Sequence, residues 1–416
     1  MFETLDAILL AGSVPSFPHL SLQSIFQRKW PSLYKGLQRG CLDTQRLTTF
    51  LARDQVPRNG VQCYSIDSTA WLRPRAETLD ERSIVRVPAA GTAKGHIYNI
   101  GYEYSLLDWI PEEGSSWSLS IAVSRVPFAK SVIEIGIEQV QLLNAARQAH
   151  TDTVDIIAGD ARYGNERFYE PLQGGHCGLV ARMRKDRVLH FEQPPDYQRP
   201  QGRPTVHGQR FAFKEPQNWP EPDEQHNFKD QRFGQVILER WNRLHGRRHP
   251  NLHFDVIRAR IYQERKKPPE PIWLMWQAPA NVPDDVELNA VVIWQAYLSR
   301  WPIEPNIRFR KQALKWTAPQ FHHKETGDRW SWLVALAVWL LFLSKDLITD
   351  QPFPWQKPQH NFTPQRVLQS LPLLFVQFGS PVAQPKVRGF SPGWPRGRPR
   401  IPKQRFPVLK KSALAA

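Results

Sequence analysis

Four polar side chains recur along the stretch Tyr297-Leu-Ser-Arg300-Trp-Pro-Ile-Glu304-Pro-Asn-Ile-Arg-Phe-Arg-Lys311. At about 100° per residue, Tyr297, Arg300, Glu304 and Lys311 fall within roughly 60° of one another on a helix. A carboxylate can hold a divalent metal; a guanidinium, an ammonium and a phenol can hold phosphate oxygens. An ordinary solvated helix face with one ion pair has the same composition. Two more acids stand where chemistry is usually placed, at the carboxyl ends of predicted strands. Asp67 follows Tyr64-Ser65-Ile66, and Asp160 follows Ile156-Ile157-Ala158-Gly159. Each alone also suits a turn or a helix cap. Taken with Glu304 they suit another task. Two aspartates from adjacent strands and a glutamate from a helix can hold two divalent cations, which activate a water and stabilise the leaving oxygen of a phosphodiester. Pro302 and Pro305 bracket Glu304. A proline removes a helix hydrogen bond and pushes the preceding residue out of the α region, so one unbroken helix is not expected. The spacing predicts a break near 301–305, with a new helix starting at Pro302 or Pro305.

The elements that must position these residues follow from periodicity. Residues 1–60 carry apolar positions at helical spacing among basic residues such as Arg28, Lys29, Arg46 and Arg53. This helical N-terminal module either contacts DNA or caps a core. Residues 61–185 predict strands at Val61–Ile66, Ile97–Leu107 and Trp117–Val126. A helix over Ser131–His150, a strand at Thr153–Ala158, a helix over Asn165–Leu172 and a strand at Gly178–Met183 complete the segment. Three hairpin-like strands, a helix, then two strands around a helix make a mixed sheet with helical cover, an α/β class. Residues 186–285 turn to short alternating runs rich in Pro, Gln, Arg and Gly, a β-rich insertion with mobile loops near 192–205 and 264–271. Residues 286–350 return to helix, including the apolar run from Trp330. Residues 351–416 form a Pro/Arg-rich basic region, expected to be disordered when free from about 378.

The 416-residue chain is too long for one compact core and predicts two or three domains. Its formal net charge of +16 favours a polyanionic partner; an anionic membrane surface is the rival. No Asp or Glu follows Asp350, so much of the excess lies in the tail. Cys41, Cys63 and Cys177 are odd in number and form no CxxC pair, which argues against a disulfide framework or a zinc site and suits a reducing cytoplasm. The first twenty residues have early acids and no basic segment, unlike a signal peptide. The apolar run from Trp330 is short of the ~20 residues that span a bilayer, so no membrane association is expected. His322, His323 and the other histidines show no ligand spacing. Pro395-Arg396-Gly397-Arg398-Pro399-Arg400 resembles an AT-hook core, in which an extended Arg-Gly-Arg lies along a narrow minor groove. A polybasic tail that binds phosphates without preference has the same residues.

The Tyr-x2-Arg-x3-Glu-x6-Lys pattern of Tyr297, Arg300, Glu304 and Lys311 resembles the signature of insertion-sequence DDE transposases. The blocks Cys63-Tyr-Ser-Ile-Asp67-Ser-Thr-Ala-Trp71 and Gly159-Asp160-Ala-Arg-Tyr-Gly-Asn165 are similar to that family's first and second acid motifs. Asp328-Arg-Trp-Ser-Trp-Leu-Val-Ala-Leu-Ala337 and Phe362-Thr-Pro-Gln-Arg366 are similar to its later blocks. The resemblance covers roughly residues 61–400. It implies an RNase H-like core with the triad Asp67, Asp160 and Glu304 holding two Mg²⁺, or Mn²⁺ as a substitute. It further implies a β-rich domain inserted before the third acid, Arg300 and Lys311 gripping phosphates, and Tyr297 on the same strand. Trp273 matches the inserted-domain aromatic on which some relatives stack a flipped base; a Trp on an apolar strand is also ordinary core. Arg396 and Arg398 would join the DNA contacts. The implied activity is cutting of transposon terminal inverted repeats and joining of 3′-hydroxyl ends to target DNA, by a homodimer on paired ends in a bacterial, nucleoid-associated setting. A two-metal endonuclease without strand transfer and a catalytically silent DNA-binding relative are the alternatives.

Overall fold

The computed structural model describes residues 2–12, 14, 16–53, 60–88, 96–194, 197, 206–262, 269–377, 386–387, 393, 395–399 and 401–410. The helices are α1 (Phe2–Leu10), α2 (Phe17–Leu20), α3 (Trp30–Arg39), α4 (Thr44–Arg53), α5 (Val132–Arg147), α6 (Glu166–Tyr169), α7 (Ala290–Leu298), α8 (Ile303–Gln312), α9 (Lys324–Ser344) and α10 (Pro364–Gln377). The strands are β1 (Val61–Leu72), β2 (Ser83–Pro88), β3 (His96–Ile110), β4 (Leu119–Arg125), β5 (Val154–Gly159) and β6 (Gly178–Arg182) in the first half. The second half adds β7 (Val188–Glu192), β8 (His207–Ala212), β9 (Glu224–Asp230), β10 (Gly234–Gly246), β11 (His249–Tyr262) and β12 (Ile272–Gln277). Most residues of the two expected mobile loops, 192–205 and 264–271, lie outside the described residues.

The first half builds the expected mixed sheet. β1 pairs antiparallel with β3, and β3 with β4; β1 then pairs parallel with β5, and β5 with β6. This order and direction are consistent with an RNase H-like core. Helix α5, the connection from β4 to β5, begins at a capping box. Ser131 Oγ accepts from the Glu134 N–H, and the Glu134 carboxylate accepts from the Ser131 N–H. The β-rich segment does not stand apart as a separate layer. Its last strand, β12, pairs with β6, and β11, β10 and β7 follow in one continuous sheet.

The strands alternate their side chains between two apolar faces. On one face Ile156, Ala158, Val180, Leu274 and Trp276 pack against Ile293, Trp294 and Tyr297 of α7. On the other, Tyr64, Ile66, Ile157 and Leu179 share a core with α1, α3, α5, α9 and α10. The N-terminal helices belong to this core: Ala7, Ile8, Phe17, Leu33 and Ala52 are all buried in it, and α1 and α3 rest on α9. The apolar run from Trp330 is the centre of α9, and Trp330 is fully buried.

The break at the two prolines occurs as the sequence predicts. Pro302 is the N-cap of α8 and Pro305 its third residue, positions where no intrahelical N–H bond is required. Between α7 and α8 the turn at Ser299–Pro302 carries the chain from one face of the sheet to the other. There α8 lies beside β1, pinned by Arg310. The Arg310 guanidinium is buried and donates to Asp108 Oδ2 at 2.8 Å, to Ser120 Oγ at 2.6 Å and to the Ser118 carbonyl at 3.0 Å. Asp108 in turn accepts from the hydroxyls of Ser118 and Ser120, next to a register shift between β3 and β4.

Several features depart from the sequence reading: β2 was not anticipated, and β1 runs on through Asp67 to Leu72 instead of ending before it. Helix α10 was not anticipated; it rests on α9 and α1, and its Arg366 is buried against Asp350. The tail, expected to be disordered, docks where it is described. The Phe406 N–H donates to the Glu77 carbonyl, the Leu409 N–H donates to the Arg82 carbonyl, both at 2.8 Å, and Leu409 bridges Ser83 at the start of β2.

Removing one partner of a buried ion pair strands the other charge, typically at a cost of about 3–5 kcal/mol. Arg310→Met should therefore lower the unfolding free energy by that order in urea titrations. The double variant Arg310→Met with Asp108→Leu should recover much of the loss.

Candidate active site

The parallel pairing of β1 with β5 ends at Ile66 opposite Gly159. Asp67 and Asp160 are the next residues on the two strands, so both carboxylates emerge at the same edge. β1 continues beyond this point on β3, with Asp67 opposite Leu106, and holds its acid rigidly. Asp160 begins a turn instead. Its Oδ1 accepts from the Arg162 N–H at 2.9 Å and its carbonyl from the Tyr163 N–H at 3.1 Å. Gly164 lets this turn pass against β6, because a Cβ there would stand 2.0 Å from the Arg182 carbonyl oxygen.

The third acid arrives through α8. Glu304 is the second residue of that helix, and its side chain is 50% exposed. Arg300, on the preceding turn, reaches two of the three acids: Nη2 donates to Glu304 Oε1 at 2.8 Å, and Nη1 lies 3.6 Å from Asp67 Oδ2. Lys311 comes from the other end of α8. Its Nζ donates to Thr69 Oγ1 at 2.6 Å and to the Ala70 carbonyl at 2.8 Å, two and three residues beyond Asp67. Asp67, Asp160, Lys311, Glu103 and Arg162 line a cleft of about 570 Å³.

Burial and the facing Asp160 push the Asp67 carboxyl up from 3.8 to about 6, with Glu304 adding to the effect. Burial pulls the Lys311 ammonium down from 10.5 to about 8. Both groups thus titrate near neutrality. A pair of half-buried carboxylates that resist sharing negative charge is a donor set suited to a hard divalent cation. Among the described residues no three His, Cys, Asp or Glu side chains are drawn together as a ligand set, and Glu304 faces Arg300.

Of the residues singled out by sequence, Asp67, Asp160, Arg300, Glu304 and Lys311 converge. The ring of Tyr297 is buried against Trp294, 6.0 Å between centroids; its hydroxyl, raised in pKa by burial, lies in the field of Arg300, Arg182 and Asp160. The base-stacking role expected of Trp273 does not fit its position. Trp273 is 4% exposed and its ring already stacks on Phe213 at 4.0 Å, within a cluster that includes Phe211, Trp219 and Trp241. The alternation of β12 turns it into the core. Arg396 and Arg398 are exposed, but their segment is not extended as an AT-hook core requires. The Arg398 N–H bonds the Pro395 carbonyl, and Gly397 has φ +79°.

Sequence reasoning passed over Arg162 and Glu103. Arg162 Nη1 donates to Glu103 Oε1 and to Ser68 Oγ, and Ser68 Oγ donates to Glu103 at 2.9 Å. The signal for Arg162 was its place two residues after Asp160. Glu103, on a strand that is otherwise largely buried, gave none.

Residues 115–246 match the family model described as DDE superfamily endonuclease. The matched segment runs from β4 through β10 and contains Asp160 and Arg162; Asp67 and Glu304 lie outside it. No curated protein matches the chain. Among solved structures, the chain is similar to the cryo-EM structure of a piggyBac transposase synaptic complex with hairpin DNA. The two share 9% identity, with 95% of this chain and 78% of that one covered, at a TM-score of 0.38. No helix of the described residues is long and apolar enough to cross a membrane.

The raised Asp67 carboxyl has a consequence for stability. Between about pH 4 and about pH 6 the unfolded chain has released this proton while the folded chain keeps it, so the contribution of Asp67 to stability falls as pH rises through that window. Asp67→Asn removes the deficit. In the absence of divalent metal it should stabilise the protein by about 3 kcal/mol at pH 8 and leave it nearly unchanged at about pH 3, below both pKa values, read by urea unfolding.

Proposed function

We propose that the chain is a DNA transposase of the insertion-sequence DDE type, in which Asp67, Asp160 and Glu304 hold two Mg²⁺ or Mn²⁺ ions. The observation that carries this reading is the emergence of Asp67 and Asp160 from adjacent parallel strands into a cleft whose other walls bring Arg162 and Lys311. The family match over residues 115–246 supports a nuclease of this superfamily.

The metal ions would lower the pKa of a bound water and neutralise charge on the phosphodiester and the leaving oxygen. The residues of the chain supply the rest. Asp67 and Asp160, fixed by the sheet, set the position of the scissile phosphate. Glu304 joins them by exchanging its Arg300 partner, which frees the guanidinium for a phosphate oxygen. Lys311, anchored on Thr69 and Ala70, presents a second cation to the same strand. Hydrolysis breaks the P–O3′ bond: water oxygen becomes part of the 5′-phosphate, and the departing 3′ oxygen gains a proton. In the joining step that 3′-hydroxyl attacks a target phosphodiester, one P–O bond replacing another without external energy. Cutting and joining two ends together calls for a homodimer on paired terminal inverted repeats.

Purified protein, its flanking terminal repeats and Mg²⁺ should give cleaved ends followed by joined products. Cleavage without joining would assign an endonuclease, and binding without cleavage a silent relative. Asp67→Asn, Asp160→Asn and Glu304→Gln should each abolish cleavage while duplex binding persists; retained cleavage in any of them would remove that residue from the triad.

The two perturbed groups set the pH profile. Metal affinity should weaken below about pH 6 as Asp67 takes a proton, and strand binding should weaken above about pH 8 as Lys311 loses one. Lys311→Arg should remove the alkaline fall in a binding titration.

A further inference from the structure

A further carboxylate lines the cleft. Glu103 lies on β3 opposite Ala70 of β1 and shares the cleft with Asp67, Asp160, Arg162 and Lys311. An acid at this place works against the binding of an anionic strand, and its neighbours on β3, Tyr102, Tyr104 and Ser105, are buried. Its contacts give a reason for it. Glu103 Oε1 accepts from Ser68 Oγ at 2.9 Å and from Arg162 Nη1, and Arg162 Nη1 also donates to Ser68 Oγ at 2.7 Å.

Each of these two partners holds one of the acids. The Ser68 N–H donates to Asp67 Oδ1 at 2.7 Å, and the Arg162 N–H donates to Asp160 Oδ1 at 2.9 Å. A chain of contacts therefore runs from Asp67 through Ser68, Glu103 and Arg162 to Asp160. It spans the place where the sheet gives out. The β1–β5 ladder ends at Ile66 and Gly159, and the β5–β6 ladder ends at Gly159 as well, so neither ladder holds Asp160. Strand β3 stays paired with β1 beyond Asp67 and brings Glu103 to the far side of the gap.

We propose that Glu103 is a positioning residue, which ties the turn after β5 to β1 and so sets the spacing of the Asp67 and Asp160 carboxylates before a metal ion arrives. This rests on reading the two acids as metal ligands. Asp67 and Asp160 repel each other, and without a divalent ion only the framework keeps them together. Ligands already held at their working distance lose less freedom on taking up a cation than ligands that must first be gathered. Glu103 acts on the acids through the backbone N–H groups of Ser68 and Arg162. Its charge is matched by the Arg162 guanidinium, so what it contributes to the cleft is geometry.

The test reads Mn²⁺ uptake by the full chain without DNA, from the electron paramagnetic resonance signal of the free ion. Glu103→Ala should weaken Mn²⁺ binding roughly tenfold, the lower end of what the loss of an outer contact costs a metal site. Glu103→Gln keeps an acceptor oxygen for Ser68 and Arg162 and loses only the charge, so it should bind close to wild type. A direct ligand or a purely electrostatic role makes Gln as weak as Ala, and that result overturns the tie. Ser68→Ala breaks one leg; it should cost less than Glu103→Ala and add nothing to it in the double variant, whereas additive losses overturn the proposal. Should Glu103→Ala fail to fold, the Gln and Ser68→Ala variants decide, the first expected to bind as wild type and the second more weakly. With terminal-repeat DNA, cleavage by Glu103→Ala should fall at low Mg²⁺ and return to near the wild-type rate at about tenfold higher Mg²⁺. Wild-type Mn²⁺ affinity in Glu103→Ala, with uptake lost in Asp67→Asn, overturns the tie and leaves the acids as ligands. Uptake that survives Asp67→Asn, or none by the wild type, removes the metal reading and the tie with it.

Discussion

Helix α8 lies beside β1 and carries Glu304 at one end and Lys311 at the other. Its position depends on the buried pair of Arg310 and Asp108. The guanidinium reaches across to the ends of β3 and β4, and the hydroxyls of Ser118 and Ser120 satisfy the carboxylate oxygens that it leaves over. Such a pair adds little net stability compared with apolar packing. What it adds is direction. Its donors and acceptors are matched in this placement, and sliding or rotating α8 on the sheet would break them. A second buried pair, Arg147 with Asp155, ties α5 to β5 in the same manner and fixes the strand that ends at Asp160. The acids at the cleft are thus held by charges that take no part in its chemistry.

The cleft itself carries unbalanced negative charge at its centre and positive charge around it. Asp67 faces Asp160 with its carboxyl lifted by burial, while Arg300 and Lys311 approach from α8 and Arg162 from the turn after β5. Arg300 bridges Asp67 and Glu304 much as a metal ion bridges ligands, but with one soft charge instead of two.

Much of this was legible in the sequence. Most strands and helices over 61–185 follow from periodicity, although β2 gives no such signal, and Asp160 is visible at a strand end because turn formers follow it; Asp67 has the same local look, yet β1 runs on through it to Leu72. The two prolines predicted the break before α8. What could not be read is equally specific. The partner of Arg310 lies on a strand far away in sequence, and nothing local in Asp108 distinguishes a buried ligand from a surface acid. The direction of Trp273 depends on which face of β12 meets α7, a matter of register and not of composition. The tail was read as disordered because its content is Pro, Arg and Lys, but hydrogen bonds from its backbone to Glu77 and Arg82 need no particular side chain.

The chain crosses from one face of the sheet to the other only after all twelve strands have been laid down. The halves that meet there are far apart in sequence: Trp71 Nε1 donates to the Thr317 carbonyl across 246 residues. Contacts of such high order form late in folding, since long loops must close before they are rewarded. Asp67 and Asp160 stand on or next to strands of the sheet, whereas Glu304 arrives on α8, after β12. The topology therefore works as a safety catch, because Glu304 reaches the neighbourhood of Asp67 and Asp160 only when the whole domain has closed.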